Sequence, residues 1–464
     1  MLTYQDYLKE TQNKSIDALV SFLRKAINEH RSDPMVKEAK IADTYDAQLN
    51  DTIVNFSKLF YTFNGRPVVD TTASNNKLAS NFFHRLNTQR NTYLLGNGVT
   101  FTKPETKEKL GANFDTAFKK AGYNALIHGL TFVFWNYDRM YNFKLAEFVP
   151  LWDEADSSLR AGIRYWQLDA NKPLNVVLYE EDGYTKFVEN KDKQLVQVEQ
   201  KHSYITRTVH TELDGDVIIG EFNYSYLPIV PFWGTPSHQS TLVGMRANID
   251  SYDLIKSGFA NDLDDCAQAY WLLSNASGMD DVDLQQFRDR LKLAHIAKVD
   301  RDQTVTPFTQ EVPYSARETL LTRIKSDLYE DFGALDVHTV AAGATNDHID
   351  AAYQPLDEEA DDYEYQCTEC IQQILDLQGI DDEPVFKRNR ISNEMEQVQM
   401  LMMEAPYLDE ETILNKLPNV TVDEVKQIMR KKDAEDMDRF AGERDQEQEE
   451  EEEQEEVGDE DVNG

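Results

Sequence analysis

The 464 residues predict an α+β chain that is mostly helical. Apolar residues recur at helical spacing through roughly the first hundred positions and again from about residue 241 onward. Between about 129 and 233 the period falls to two, in short runs rich in Val, Phe, Tyr and Trp broken by Gly and Asp turns. An apolar fraction of 41% is enough to bury cores in several domains.

Taken in order, "SIDALVSFLRKAINEH" sets Ile16, Leu19, Phe22, Leu23 and Ile27 on one helix face behind Ser15, a residue type that caps helix N-termini. A second helical stretch, "KLASNFFHRLNTQRNTYLLG", runs into "GNGVTF", where Asn97-Gly98 reads as a hairpin turn. The strands are expected in "GLTFVFWNYD", "NFKLAEFVPL", "AGIRYWQL", "LNVVLYEEDGYTKFVEN" and "GDVIIGEFNYSYLPIVPFW". Next comes "TLVGMRANIDSYDLIKSGFANDLDDCAQAYWLL", with Leu242, Met245, Ile249, Tyr252, Phe259, Leu263 and Ala267 at helical spacing. Asp250, Asp253, Ser257, Asn261, Asp264 and Asp265 collect on the other faces, which predicts a helix with an exposed acidic side.

The stretch after this helix reads as turn, short helix, strand, strand. A new helix is expected at Ser315, with Glu318 completing an S-x-x-E capping box and Leu321, Ile324, Leu328 and Phe332 on one face up to Gly333. The loop "LDVHTVAAGATND" follows, and its Ala341, Ala342, Gly343 and Ala344 let it change conformation at little steric cost. From about Thr345 to Leu377 a long helix carries Ile349, Leu356, Ala360, Tyr363, Cys367, Ile371 and Ile374 on one side, with Thr345 or Asn346 as its cap and a kink expected at Pro355. Short helices end the ordered chain, two of them behind Asp409 and Thr421 as caps.

The net charge of −37 is uneven: about a third of it lies in "GERDQEQEEEEEQEEVGDEDVNG". That composition cannot offset its own ordering entropy, so the chain from about residue 441 is expected to be disordered. The body is acidic too, which argues against a tight grip on a nucleic-acid backbone, where affinity comes from Lys and Arg releasing counterions. No apolar run approaches the length of a membrane span, and "MLTYQDYLKETQNK" lacks the build of a signal peptide. Three cysteines, Cys266, Cys367 and Cys370, are too few for a disulfide framework and fit a reducing compartment, so a cytoplasmic setting without membrane contact is expected.

The sequence has no P-loop, no G-x-S-x-G and no H-E-x-x-H, which removes the usual handles for ATP hydrolysis, nucleophilic hydrolysis and zinc proteolysis. "CTEC" at 367–370 has the spacing of half a zinc site but falls inside a helix, where two small apolar residues in a seam are the simpler reading. Asp262, Asp264 and Asp265 invite a metal-dependent nuclease as the alternative function. Adjacent helical residues face apart, however, and no E-x-K partner accompanies them, so a solvated acidic face is the simpler account. Met400, Met402 and Met403 read as helix core, with an adaptable oligomer seat as the other option.

The order of these parts resembles a known family. "YLPIVPFWGTPSHQSTLVGMRANIDSYDLIKSGFANDLDDCAQAYWLLSN" is similar to the central signature of portal proteins of long-tailed double-stranded DNA bacteriophages, carried here by Ile249, Asp250, Tyr252, Asp253, Ser257, Asn261 and Asp264. "YLLGNGVTF", "NALIHGLTFVFWNYD", "LTRIKSDLYEDFGALDV" and "FKRNRISNEMEQVQMLMM" followed by "LDEETILNKLPNV" extend the resemblance in order over about 75–425.

The resemblance implies a portal fold assembled as a ring, usually of twelve subunits, at one capsid vertex of the virion after assembly in the host cytoplasm. It implies a wing over 1–240, a first stem helix over 241–267, a clip over 268–314 and a second stem helix over 315–335. A tunnel loop over 336–347, a long kinked helix over 348–388, a helical crown over 389–440 and the acidic tail over 441–464 would complete the chain. The DNA-facing loop residues would be Val337, His338, Thr339, Val340, Ala341, Ala342, Gly343 and Ala344, and the stem would turn Asp250, Asp253, Ser257, Asn261, Asp264 and Asp265 to the channel. The implied role is non-enzymatic, with no cofactor and no metal. DNA would be packaged through the ring and later ejected; the partners implied are the terminase large subunit, head-completion or adaptor proteins, and the major capsid and scaffolding proteins. Another phage structural protein, such as an adaptor, is the alternative within the same class.

Overall fold

The computed structural model describes residues 2–12, 15–61, 65–70, 73–211, 215–266, 270–274, 304–308, 314–337 and 346–390, with short pieces between 398 and 432. The chain divides into two compact units: one takes in Met1–Leu335 and Pro355–Asn389, the other Asp336–Gln354 and Arg390–Gly464. The boundary therefore falls inside the long helix, at Pro355, rather than at either of its ends.

In the first unit the N-terminal helices are α1 (Tyr4–Glu10), α2 (Ile16–Ser32), α3 (Pro34–Asp46) and α4 (Asp51–Val54). A capping box of Thr3 and Asp6 starts α1. Asp33, accepting from the Met35 N–H at 2.8 Å, starts α3 with Pro34 in the first turn, where its missing N–H costs nothing. Ser15 does stand at the N-cap of α2, but its side chain makes no capping bond. The strands β1 (Leu59–Tyr61) and β2 (Pro67–Val69) form a two-stranded sheet, followed by α5 (Phe82–Leu95), β3 (Val99–Phe101), α6 (Pro104–Leu110) and α7 (Phe114–His128).

The β-rich part matches the period-two runs. β4 (Leu130–Asn136) lies between β5 (Arg139–Lys144) and β13 (Ile229–Trp233) in a three-stranded antiparallel sheet. β6 (Phe148–Trp152), β7 (Leu159–Trp166), β8 (Asn175–Glu180), β9 (Gly183–Glu189) and β10 (Leu195–Gln197) form an antiparallel meander of five strands. α1 and α2 cover one side of that meander, burying Phe22, Leu23 and Ile27 against Val149, Ile163 and Val176. On this interface His30 is buried with Nδ1 3.1 Å from the Tyr165 hydroxyl. A second core, with Phe132, Phe143 and Phe148, joins the two sheets under α3. Among the described residues β11 (Ile205–Thr211) and β12 (Gly215–Phe222) pair only with each other.

The helices of the second half are α8 (Leu242–Cys266), α9 (Tyr314–Asp331) and α10 (Asn346–Gln378). The α10 stripe is as expected: Leu356, Ala360, Tyr363, Cys367, Ile371 and Ile374 are buried, most of them in a core with Phe118 and Phe232. Cys367 and Cys370 are part of that core, and burial pushes both thiols well above their ordinary range. "CTEC" is thus helix seam.

Several local expectations need correction. Asn97-Gly98 is no hairpin turn: Gly98, at φ +75°, joins α5 to β3, and β3 pairs with β16 (Pro384–Phe386) far along the chain. α9 starts at Tyr314, so Ser315 lies inside it and its carbonyl accepts from the Thr319 hydroxyl at 2.7 Å. Tyr270–Leu273, expected as the end of the long helix, belong instead to a strand, β14 (Tyr270–Ser274), paired antiparallel with β15 (Thr304–Phe308). In the second unit Met402 and Met403 are exposed while Leu401 between Met400 and Met402 is buried, so the described methionines are not core. Asp409 does cap, accepting from the Thr412 N–H at 3.0 Å and its hydroxyl at 2.7 Å. Thr345, Thr421 and the tail from 441 lie outside the described residues.

Candidate functional site

The α8/α9 pair and the entry to the loop after it form the candidate site. The two helices run antiparallel, as three contacts show. Phe259 meets Tyr314 edge-on at 4.8 Å, Asp262 pairs with Arg317, and Asn248 donates to Asp331 at 3.2 Å. Leu242, Met245 and Ile249 at the start of α8 are buried with Leu328, Tyr329 and Phe332 at the end of α9, so the pair is rooted at that end. Toward the other end the apolar face is less covered, and Leu263 and Tyr314 are exposed.

The polar row of α8 is not the exposed face its pattern predicted. Asp253, Ser257 and Asn261 are 0%, 2% and 1% exposed. They are covered by an extended segment, 76–80, that comes from far upstream. The Ser80 N–H donates to Asp253 at 2.8 Å, the Leu78 N–H to Ser257 Oγ at 2.9 Å, and the Asn76 N–H to Asn261 Oδ1 at 2.6 Å. The Asn76 side chain adds a bond to Asp264 at 2.6 Å.

The spacing explains why this works. Four helical residues rise about 6 Å, and two extended residues span about 6.6 Å. A strand laid antiparallel on α8 therefore brings every second N–H to every fourth side chain, and three backbone donors that lack a sheet partner find acceptors. Asp253 also accepts from Asn50 Nδ2, and Asn50 in turn donates to the Ser80 carbonyl at 3.2 Å. Both ends of the excursion from 51 to 79 are tied to one buried carboxylate. Burial raises its pKa above the ordinary carboxylate value, although the bonds from Asn50 and Ser80 work against that.

Asp250 is likewise held within the chain, accepting from the Tyr45 hydroxyl and from Thr52 at 2.8 Å, beside an Arg246 that pairs with Asp51 at 3.0 Å. Asp264 is exposed, and the side chain of Asp265 lies outside the described residues. A side chain covered by its own chain cannot line an open surface. The expectation of an exposed acidic face is thereby corrected for Asp253, Ser257 and Asn261. Asn50, Asn76 and Ser80 escaped the sequence reading because an irregular polar segment shows no period that would flag its role.

The loop root is fixed more firmly than sequence suggested. Gly333, at φ +61°, ends α9 in a Schellman arrangement: its N–H bonds the Glu330 carbonyl at 3.1 Å, and the Ala334 N–H bonds that of Tyr329 at 2.9 Å. Gln89 then grips the Leu335 backbone from both sides, donating to its carbonyl at 2.9 Å and accepting from its N–H at 3.2 Å. The buried Arg90 donates to the Phe332 carbonyl, stacks on the Phe332 ring at 4.1 Å, and pairs with Glu359 of α10 at 2.9 Å. Val337 is exposed; His338, Thr339, Val340, Ala341, Ala342, Gly343 and Ala344 lie outside the described residues.

Among the described residues no group of three His, Cys, Asp or Glu side chains is disposed to hold a metal ion, and no helix is long and apolar enough to cross a membrane. Of the nuclease carboxylates whose side chains are described, Asp262 is paired with Arg317 and Asp264 accepts from Asn76, so these two are held by different partners.

Comparison with known proteins gives a coherent result. The chain matches the family described as phage portal protein, SPP1 Gp6-like, over residues 40–450. It is 24% identical over 370 residues to the portal protein of Bacillus phage SPP1, covering 76% of this chain and 71% of that protein. It is 26% identical over 212 residues to the portal protein of Clostridium phage phiCD119, covering 43% of this chain and 46% of that one. The chain belongs to the SPP1 Gp6-like family of phage portal proteins.

Proposed function

We propose that this chain is the subunit of a closed ring of about twelve copies set at one vertex of a phage capsid, a symmetry in which head-to-tail contacts close on themselves. Double-stranded DNA passes through the ring when the genome is packaged and again when it is ejected. The observation that carries the reading is the family match over residues 40–450, joined to a helix pair that leaves Val243, Leu263, Tyr314 and Leu320 exposed on a lone subunit. A ring covers such residues; a monomer leaves them wet.

In this reading α8 and α9 form the stem, the module between them the clip, and 336–347 the tunnel loop. The terminase large subunit would dock on the ring to drive packaging, and head-completion proteins would follow it. Capsid and scaffolding proteins would hold the outer rim. DNA must slide without sticking, and the strongly acidic chain suits that because it offers phosphates little cation density. Since the Asp253 row is covered by the 76–80 segment, the carboxylates left exposed on α9, Glu318, Glu330 and Asp331, are better placed to contribute.

Electron microscopy and mass photometry of the purified chain test the ring: closed particles are expected, and monomer at every salt and magnesium concentration would sink it. Val340→Lys with Ala342→Lys tests the loop. Rings should form near normally, while DNA packaged per prohead with terminase and ATP should fall, because cations at the narrowest point would grip phosphates. Unchanged packaging would mean that the loop does not line the constriction.

A further inference from the structure

The described residues of the segment 54–69 include several exposed apolar side chains. Phe56, Leu59, Val68 and Val69 are 38%, 53%, 42% and 51% exposed, close together in sequence, on and beside a two-stranded sheet that has no further partner strand among the described residues. An isolated pair of strands is marginal in water and needs packing against something else. The base of this arm, by contrast, is fastened at Asn50 and Ser80 to Asp253. A firmly rooted arm that carries bare apolar residues is built to contact another surface.

The arm is also basic in an acidic protein. Between Val54 and Ser80 the chain has Lys58, Arg66 and Lys77 against the single carboxylate Asp70, while the whole chain carries −37. Its complement lies elsewhere on the same unit, in a cleft of about 900 Å³ between the two sheets. There the Trp152, Trp233 and His238 rings stack in a row, with centroids 6.3 Å and then 3.9 Å apart. Tyr226 and Leu159 extend this apolar wall.

Glu181 and Glu369 border the cleft, and the one guanidinium beside it among the described residues, Arg160, is shared among Asp153, Asp156 and Glu181 at 3.5, 2.9 and 3.3 Å. The rim is therefore acidic even with Arg160 counted. Aromatic walls of this type take proline and aliphatic side chains, and β2 offers Pro67, Val68 and Val69, all exposed. Among the described residues of 49–78, none lines the cleft of its own chain.

We propose that the β1–β2 arm of one copy docks in the Trp152–Trp233–His238 cleft of the next copy. The inference rests on the ring reading above and deepens it by naming two different surfaces, as a head-to-tail contact requires. Apolar contact between the valines and the tryptophans supplies most of the attraction, and the basic arm on the acidic rim fixes its orientation.

The test uses the full chain carrying Cys266→Ser, with Val68→Cys and Tyr226→Cys added together or singly. On mild oxidation the doubly substituted protein should give a ladder of covalent oligomers on a non-reducing gel, and neither single variant should. A second variant, Val68→Asp with Val69→Asp, should raise the concentration for half-assembly by about tenfold or more, since two aliphatic side chains lose their seat. Its helical content should be unchanged, because both positions are solvent-exposed. Rings without a ladder, together with normal assembly of the aspartate variant, would overturn the arm contact and leave the ring standing. A parent protein that stays monomeric under all conditions would overturn both. Normal assembly of the aspartate variant with loss of binding to a head-completion protein or terminase would assign the arm to that partner instead and also overturn the proposal.

Discussion

Replacing Asp253 by alanine isolates the device that fastens the 76–80 segment to α8. The carboxylate is fully buried and accepts from the Ser80 N–H at 2.8 Å and from Asn50 Nδ2. Losing a charged acceptor costs about 1.5–3 kcal/mol per bond when the donor stays buried. The Ser80 N–H would bear that cost in full. Asn50 would bear less, because it keeps the Ser80 carbonyl at 3.2 Å, and part of the total is returned since a buried carboxylate no longer has to be desolvated. The net is about 2–3 kcal/mol, or roughly a 30- to 150-fold loss of local protection.

Hydrogen exchange on peptides spanning 73–80 reads this directly, and a local probe is preferable because a chain of two compact units need not unfold in one step. The pH dependence has a definite sign. Burial raises the Asp253 pKa above its ordinary 3.8, so the folded chain holds this proton more tightly than the unfolded one. The stability it contributes is full below that value and declines as pH rises through the raised folded value. The ratio of wild-type to variant protection should accordingly be largest in mild acid and shrink toward neutrality. Unchanged exchange at 76–80 in Asp253→Ala would refute the reasoning, and a ratio that grows with pH would refute the electrostatic part.

Other perturbations follow from the same geometry. Ser257→Ala should cost about 1 kcal/mol at the same segment, less than Asp253→Ala, because the lost acceptor is neutral, and exchange at Leu78 measures it. Burial pulls His30 down to about 4, so the fold loses stability as pH falls from 6.5 toward 4; His30→Leu should remove up to about 3 kcal/mol of that dependence, seen in melting curves at pH 7 and 4.5. Gly333→Ala should loosen the loop root by about 1–2 kcal/mol: φ is +61°, and an added Cβ would meet Glu359 Cγ at 2.5 Å. Exchange across 329–335 would report it. Raising salt should favour ring assembly, since like-charged subunits repel within about a Debye length; mass photometry showing fewer rings at high salt would contradict this.

The sequence alone determined the helical stripes and the strand periods, because both are read from spacing within one element. The buried positions of α10 from Leu356 to Ile374 and the runs that became β4 to β9 were legible for that reason. It also carried the family resemblance, which depends on the order of parts. Only the tertiary structure decided which polar residues are wet. Asp253, Ser257 and Asn261 look like a solvated face because periodicity registers polarity and says nothing of whether a partner satisfies it. Their partners stand more than 170 residues upstream in a segment without any period of its own. The pairing of β16 with β3 escaped notice on the same ground. Asp382 is a further case, its carboxyl held well below the usual range by Thr102, Thr106 and the Lys103 N–H despite some desolvation. Each such bond joins groups that neither strand nor helix spacing relates, so their meeting is a property of the folded chain.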